Sequence, residues 1–218
     1  MTIAEENYLK AIYKLTPKGD TAVSTNSIAN QISTSAASVT DMIRKLAEKN
    51  MVVYEKYKGV KLTQSGAEKA KMMIRNHRLW EVFLVEKLNF GWDAIHEIAE
   101  ELEHINSDEL IDRLDDFLGK PKYDPHGDPI PDASGKITYR SKTLLSQISE
   151  GVECIVVGVD DTSSSFLQYL DKLQISLGTK IKLIDKIEFD GSAKLEYDGS
   201  VNSVSAMVTN NIYVKTND

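Results

Sequence analysis

The chain has 218 residues, of which 41% are hydrophobic and 27% are charged, and its net charge is −7. This composition is that of an ordinary soluble globular protein, and a disordered chain is not expected. The sequence contains neither an apolar run of the roughly 18 residues that span a bilayer nor the apolar stretch of a signal peptide, so we expect a cytoplasmic protein without a membrane partner.

The charge is distributed unevenly along the chain. Residues 1–75 contain 12 Lys and Arg against 7 Asp and Glu, a balance of +5, whereas residues 76–218 contain 14 against 26, a balance of −12. A nucleic-acid partner requires a basic surface, because much of the binding free energy comes from contacts to phosphates. The N-terminal third meets this requirement although the whole chain is acidic.

Three helices are predicted at the N-terminus. The first covers residues 4–15 and is ended by Thr16-Pro17-Lys18-Gly19. A short second helix follows within residues 24–32, where Ser and Thr side chains precede the first apolar positions. Residues 33–35 separate it from a third helix over residues 36–50. Two short helices joined by a polar turn are typical of a helix-turn-helix.

Residues 51–63 indicate two short strands around a Lys-Gly turn, which predicts a β-wing. This arrangement places the third helix in the major groove of double-stranded DNA and brings wing lysines to the phosphates. The predicted DNA-binding residues are Ser35, Ala37, Ser38, Thr40, Arg44, Lys45, Lys56, Tyr57 and Lys58. A winged helix used only for protein contacts is the alternative.

The rest of the chain divides into a helical and a β-rich part. Helices are predicted over residues 64–88, 92–105 and 107–118, and their surplus of apolar positions predicts a homodimer. A Pro- and Gly-rich loop over residues 121–135 follows. The β-type runs cover residues 152–159, 180–189, 193–197 and 212–215, with one helix near residues 164–173. These short strands fit a small SH3-like barrel.

The predicted fold class is therefore α+β with three domains. A winged helix-turn-helix DNA-binding domain covers residues 1–63, and a helical metal-binding and dimerisation domain covers residues 64–140. A C-terminal SH3-like small β-barrel covers residues 145–218.

All four histidines lie close to carboxylates in the sequence. The motifs are His77-x3-Glu81, His96-x3-Glu100-x2-Glu103-His104 and Asp124-x-His126. Helix positions i, i+4, i+7 and i+8 fall within an arc of roughly 100°, so the four residues of the middle motif are expected on one face. Imidazoles and carboxylates packed together suffer repulsion and desolvation, which a divalent cation relieves. The pattern predicts a metal site.

A metallohydrolase that activates water with this His/Glu cluster is the alternative function. The sequence lacks a His-Glu-x-x-His signature, and an enzyme leaves the winged helix unexplained. A third interpretation treats the β-rich tail as an interaction module alone, resembling domains attached to ferrous iron transporters. Cys154 lies in an apolar run and is interpreted as a small buried hydrophobic residue.

Six motifs occur in order along the chain. They are Asn7-Tyr8-Leu9-x2-Ile12-Tyr13, Val39-Thr40-x2-Ile43-x2-Leu46, Glu55-Lys56-Tyr57-Lys58-Gly59-Val60-x-Leu62-Thr63, Asn76-His77-Arg78-Leu79-x-Glu81, Ile95-His96-x3-Glu100-x2-Glu103-His104-x2-Ser107-Asp108, and Pro125-His126-Gly127-x-Pro129-Ile130-Pro131. Together they resemble the diphtheria toxin repressor family of metal-dependent transcriptional regulators. The resemblance covers essentially the whole chain and implies the three domains given above. It also implies a dimeric repressor, not an enzyme, that binds Mn2+ or Fe2+ and then an inverted-repeat operator of metal-uptake genes.

The resemblance also implies ligands, carried over position by position. One set, here called the helix site, consists of Asn7, Glu100, Glu103 and His104. A second set consists of His77, Glu81 and His96. In manganese-type members that keep the third domain, part of that second set is replaced by a rival arrangement, here called the loop site, of Glu81, Asp124, His126 and Asp161. The choice between the last two sets stays open, as does Asp160 in place of Asp161.

Three positions depart from the family pattern. Asn7 stands where manganese-type members usually have Asp and iron-type members have Met, so the helix site is expected to bind metal more weakly or to admit a water. Glu100 and Asp124 each stand where relatives have Cys. The resulting ligands are all oxygen and nitrogen, which favours Mn2+ over Fe2+ as the physiological ion.

The sequence also leads to a hypothesis for the switch. Metal ties the first helix, through position 7, to the dimerisation helices and thereby sets the spacing of two recognition helices. Replacing Glu103 or His104 by alanine is expected to abolish metal-dependent DNA binding while leaving the fold intact.

Overall fold

The computed structural model describes residues 1–16, 21–55 and 58–216. The chain divides into two compact units. Unit 1 consists of Met1–Arg78, Glu100–Leu114 and Pro131–Ile137, and unit 2 consists of Leu79–Ala99, Asp115–Ile130 and Thr138–Asp218. Among the described residues, no helix combines the length and the apolar character that crossing a bilayer requires.

Unit 1 begins with three helices, α1 (Ile3–Leu15), α2 (Thr25–Gln31) and α3 (Ala36–Glu48). Each begins after a Ser or Thr whose hydroxyl accepts a hydrogen bond from a backbone N–H of the first turn. Their apolar faces pack into one core, which includes Leu9, Ile12, Ile28, Ala29, Val39, Ile43 and Leu46. The predicted helix-turn-helix is confirmed, and α3 ends slightly earlier than expected.

The wing is an antiparallel hairpin of β1 (Val52–Glu55) and β2 (Gly59–Leu62). Val23 adds a short bridge to Val60, so the hairpin is joined to the segment before α2. Gly59 adopts a φ of +113°, and a Cβ at this position lies 2.3 Å from the Val23 carbonyl oxygen. Only glycine therefore fits this bridge. Two predicted DNA contacts, Lys56 and Tyr57, lie outside the described residues.

Three further helices follow, α4 (Gln64–Leu88), α5 (Ile95–Leu102) and α6 (Asp108–Phe117). The predicted helix over residues 92–105 is too long at both ends. Glu103 and His104 lie in a turn after α5, where the Ile105 N–H donates to the Leu102 carbonyl. The prediction that four residues from His96 to His104 share a helix face is thus wrong, because the helix ends before its last two members.

The C-terminal part of unit 2 is a six-stranded antiparallel sheet with the order β3-β8-β4-β5-β6-β7. The strands are β3 (Thr143–Leu144), β4 (Glu153–Val159), β5 (Lys180–Lys186), β6 (Ala193–Tyr197), β7 (Ser200–Val204) and β8 (Ile212–Thr216). Helix α7 (Ser164–Lys172) and the short helix α8 (Ala206–Thr209) complete it. The SH3-like prediction is confirmed, although β3 and β7 were not expected.

Cys154 is a free cysteine inside the core of this sheet. Burial raises the pKa of its thiol to about 11. The thiol therefore stays protonated near neutral pH and donates to the Ile181 carbonyl oxygen at 3.4 Å.

Candidate metal centre

Three predicted ligands from distant parts of the sequence meet in unit 2. Glu81 projects from α4, whereas Asp124 and His126 come from the loop that follows α6. One ligand atom from each lies within 4.8 Å of the other two, and all three side chains are buried. Buried carboxylates are unfavourable unless they are compensated by hydrogen bonds or positive charge. This group forms the centre of the loop site.

The His126 ring is held in one orientation by Trp92. Its Nε2 lies 2.9 Å from the Trp92 carbonyl oxygen, and because a carbonyl only accepts, Nε2 carries the proton. The two rings stack with an interplanar angle of 14°. In the neutral imidazole, Nδ1 then presents a lone pair, 3.7 Å from Glu81 Oε1. A hydrogen bond from the distal nitrogen to a carbonyl is the usual support of a metal-ligating histidine.

The loop backbone fixes the second carboxylate. Asp124 Oδ1 accepts hydrogen bonds at 2.9 Å from the backbone N–H groups of His126 and Asp128. The Val159 N–H donates to the His126 carbonyl oxygen, so the loop is also attached to β4. Gly127 adopts a φ of +90° against this strand, and a Cβ there lies 2.2 Å from the Val157 carbonyl oxygen. The close approach of loop and strand therefore requires glycine.

This packing leads to a prediction for Gly127→Ala. The substitution introduces both an unfavourable φ and a backbone clash, so we expect about 2 kcal/mol or more of lost stability and weaker metal binding. Gly178→Ala is the matched control, because Gly178 has a φ of +91° but a Cβ there meets no described atom within 4 Å. Urea unfolding of both variants measures the difference. Equal losses would contradict a special requirement at the loop.

The other candidates for this site are placed less centrally. His96 Nδ1 lies 3.6 Å from Glu81 Oε1, but the side chain is half exposed. Asp161 accepts a hydrogen bond from the Ser163 N–H and does not belong to the ligand group. Asp160 accepts from the Tyr213 hydroxyl instead. His77 belongs to unit 1, whereas Glu81 and His96 belong to unit 2.

The helix site lies in unit 1, and a lysine side chain contacts both of its carboxylates. Lys10 Nζ lies 2.5 Å from Glu100 Oε1, and 2.6 and 2.7 Å from the two oxygens of Glu103. Both Lys10 and Glu103 are buried, while Glu100 is one-third exposed. Three carboxylate oxygens match the three N–H donors of an ammonium group. Sequence reasoning assigned no role to Lys10.

Histidines flank this cluster on two sides. The His77 Nδ1 lies 2.6 Å from Glu103 Oε2, and the His104 Nδ1 lies 2.8 Å from Glu6 Oε2. An ionised carboxylate only accepts, so each Nδ1 carries a proton. His104 consequently presents Nε2, which lies 3.8 Å from Glu103 Oε1. Ligand atoms of His77, Glu100 and Glu103 also lie within 4.8 Å of one another, a grouping that the resemblance did not imply.

The side-chain oxygen of Asn7 is a candidate metal ligand of the helix site. Its Oδ1 is buried and accepts no hydrogen bond among the residues that the structure describes. Asn7 lies on α1 between Glu6 and Lys10, both of which contact the 100–104 segment. An unsatisfied amide oxygen here fits a hard cation. The donors of both sites thus fit a divalent metal, but at the helix site the Lys10 ammonium already holds both carboxylates.

Sequence reasoning missed three residues near these sites. They are Lys10, Glu6 and Trp92, and each acts by holding or compensating a predicted ligand. Lys10 and Glu6 are spaced i,i+4 and flank Asn7 on one helix, which was an available signal. Trp92 acts partly through its backbone carbonyl, for which the sequence carries no signal.

The predicted DNA-binding face of α3 is exposed. Ser35, Ala37, Ser38, Thr40, Arg44 and Lys45 are all exposed, while the opposite side of the helix is buried. On the wing, Lys58 is exposed and makes a 3.2 Å ion pair with Glu55. Solvated pairs of this kind are weak, so the lysine is available to a phosphate.

Fold and sites together define a winged-helix protein whose described residues include clusters of potential metal ligands. Three family models match in order: an iron dependent repressor N-terminal DNA binding domain over residues 1–60, an iron dependent repressor metal binding and dimerisation domain over residues 63–132, and a FeoA domain over residues 143–216.

Individual proteins are also similar to the chain. An uncharacterized HTH-type transcriptional regulator of Methanocaldococcus jannaschii is 35% identical over 122 residues, 56% of this chain and 98% of the relative. The diphtheria toxin repressor of Corynebacterium diphtheriae is 25% identical over 205 residues, 89% of this chain and 88% of the relative. A solved structure of a manganese-dependent transcriptional repressor complex with manganese is 35% identical, with a TM-score of 0.82, over 97% of this chain and 99% of that chain.

The chain belongs to the diphtheria toxin repressor family of metal-dependent transcriptional repressors. The resemblance inferred from the motifs is confirmed, and the chain is a metal-responsive DNA-binding repressor. Members of this family are repressors and not enzymes, so the metallohydrolase alternative is not supported. The interpretation of the β-rich tail as an interaction module alone stays a prediction.

Proposed function

We propose that this chain is a cytoplasmic homodimeric repressor that binds an inverted-repeat operator in response to Mn2+ or Fe2+ and controls metal-uptake genes. The observation that carries the proposal is the buried group of Glu81, Asp124 and His126. Two carboxylates and an imidazole lone pair within 4.8 Å repel one another without a cation. A bound divalent cation supplies that positive charge and joins the segments that carry its ligands.

Manganese is our preferred ion. All ligand atoms of both sites are oxygen or nitrogen, and neither site contains a thiolate. Hard ligands of this kind suit Mn2+ and Fe2+, with selectivity over Zn2+ left to geometry and availability. The similarity to a manganese-dependent repressor complex supports the same choice.

Helix α1 provides a direct connection between metal ligands and the DNA-binding helices. One side of α1, including Leu9 and Ile12, packs in the core shared with α2 and α3. Glu6 and Lys10 on the same helix contact His104, Glu100 and Glu103. A change in these contacts is therefore transmitted through that core to the recognition helix α3. All of these residues belong to unit 1.

The chain also has exposed surfaces that suit a second copy of itself and the operator DNA. Leu88, Phe90 and Phe117 are large apolar residues that are exposed in the helical part of unit 2. Exposed apolar surface of this kind favours association, and a symmetric dimer matches an inverted repeat. The exposed residues of α3 supply base and phosphate contacts, while Lys58 of the wing contacts phosphate.

A DNA-binding titration tests this function. Random-sequence duplexes are selected on the full-length protein in MnCl2, and the selected duplex is then titrated with MnCl2, with FeCl2 without oxygen, or with EDTA. We expect operator affinity to rise at least about tenfold with Mn2+ or Fe2+, within the usual range of allosteric coupling. Magnesium chloride at the same ionic strength is the control. Equal affinity in Mn2+ and EDTA would refute metal control.

A further inference from the structure

The strongest unexplained feature of the molecule is the buried lysine in the helix site. Lys10 Nζ contacts three carboxylate oxygens of Glu100 and Glu103 within 2.7 Å. These are the same carboxylates that the family resemblance assigns to a divalent metal. The Lys10 ammonium therefore uses the lone pairs that a metal ion requires.

We propose that Lys10 is the resident counter-cation of the helix site, and that a divalent ion binds this site only by displacing the Lys10 ammonium from Glu100 and Glu103. The inference rests on the proposed function for its regulatory meaning. Its consequence is that the two sites fill at different metal concentrations. The loop site fills first, and the helix site fills only when the free ion is more abundant.

Charge balance supports this assignment. At the ligand atoms themselves, Glu100 and Glu103 contribute two negative charges, the Lys10 ammonium in contact with them contributes one positive charge, and Asn7 contributes none. A divalent ion beside an undisplaced ammonium therefore experiences direct repulsion at short range. With an aspartate in place of Asn7, an additional negative charge would offset part of that repulsion. Because the Asn7 amide is neutral, the Lys10 ammonium and a metal ion compete for the carboxylates of Glu100 and Glu103.

The chemistry of lysine makes the competition reversible. The ammonium is a compact point charge on a flexible four-carbon chain, so it can leave the carboxylates without unfolding α1. The buried Asn7 oxygen, which accepts no hydrogen bond among the described residues, remains available to an incoming ion. The His104 ring, oriented by Glu6, keeps its Nε2 toward Glu103. Lys10 thus holds both carboxylates, while Asn7 and His104 already present ligand atoms to an incoming ion.

The loop site differs from the helix site in the groups that hold its ligands. Its ligand group consists of two carboxylates and an imidazole, those of Glu81, Asp124 and His126. The Asp124 carboxylate is oriented by backbone N–H groups, which are neutral donors fixed in the loop. The imidazole lone pair of His126 faces the Glu81 carboxylate. These backbone donors orient the Asp124 ligand atom without themselves adding a positive charge, and we therefore expect the loop site to be the tighter one.

The test is calorimetric titration of MnCl2 into the metal-free full-length protein. In wild type we expect a tight and a weak binding event. In Lys10→Met, the weak event should strengthen at least about tenfold, because the competing charge is gone. Lys10→Arg keeps the charge and should keep weak binding. Lys49→Met, which removes a half-exposed lysine that pairs with the buried Glu5 of α1 outside the ligand groups, is the control and should leave both events unchanged.

Unchanged or weakened Mn2+ binding in Lys10→Met overturns the inference. Lys10 then only stabilises the fold by connecting α1 to Glu100 and Glu103. If Lys10→Met does not fold without metal, Lys10→Gln replaces it, with the rise in unfolding temperature on adding MnCl2 as the readout. A larger rise than in wild type supports the inference, and an equal or smaller rise refutes it. Metal-independent operator binding by wild type would refute the proposed function instead, whereas these affinities test Lys10 alone.

Discussion

Replacing Glu81 by glutamine or His126 by alanine is expected to weaken Mn2+ binding at the loop site at least about 100-fold, since removal of a residue that merely supports a ligand already costs 10- to 100-fold. The metal-dependent gain in operator affinity should then disappear at the low Mn2+ concentrations at which only the loop site fills in wild type. The physical reason is that each residue contributes one of the three buried ligands, and no other described carboxylate or imidazole belongs to that group.

The measurement combines calorimetry with operator binding at fixed MnCl2. Glu97→Gln is the matched control, because Glu97 is an exposed carboxylate on α5 outside the ligand groups. Asp161→Asn asks whether a fourth ligand completes the site, and a loss similar to that of Glu81→Gln would assign it. If Glu81→Gln retains the full metal response, the loop site is not the regulatory site.

Replacing Glu103 by alanine is expected to destabilise the metal-free protein by about 3–5 kcal/mol, the usual cost of breaking a buried ion pair. The Glu103 side chain is completely buried and accepts hydrogen bonds from Lys10 and His77. Its removal leaves the buried Lys10 ammonium facing the partly exposed Glu100. Urea unfolding in EDTA measures the change in free energy.

Two further variants test whether the buried ion pair causes this loss of stability. Glu100→Ala should cost less, because the Glu100 carboxylate is one-third exposed and contacts Lys10 through Oε1, whereas Glu103 contacts it through both oxygens. The double variant Lys10→Met with Glu103→Leu should recover much of the loss, since apolar residues often replace a buried pair without cost. A Glu103→Ala variant as stable as Glu100→Ala would contradict this account of the cluster.

The loss of stability expected for Glu103→Ala affects how the switch hypothesis drawn from the sequence can be tested. That hypothesis expects Glu103→Ala to abolish the metal response with an intact fold. The buried contacts of Glu103 make a loss of stability the expected first effect. His104→Ala is the cleaner test of metal response, because His104 makes its short contact to Glu6 and not to the buried ammonium.

Local patterns were sufficient to predict most of the elements. The spacing of apolar residues and the hydroxyl caps predicted α1, α2 and α3, because helix formation and capping depend on residues within a few positions of one another. The strand β7, Ser-Val-Asn-Ser-Val, was missed because only two of its five residues are apolar. The end of α5 was misplaced because Glu103 and His104 are compatible with a helix in sequence.

The sequence by itself determined the types of ligand and the family, because residue identity and the order of motifs survive without coordinates. Tertiary structure alone decided how the ligands group. Glu81 and His126 are brought together by packing of a helix against a distant loop, and Lys10 meets Glu103 across 93 positions of sequence. Such contacts depend on the summed packing of many residues, which no local pattern encodes. For that reason the sequence predicted metal sites, while only the fold revealed that one of them already contains a lysine.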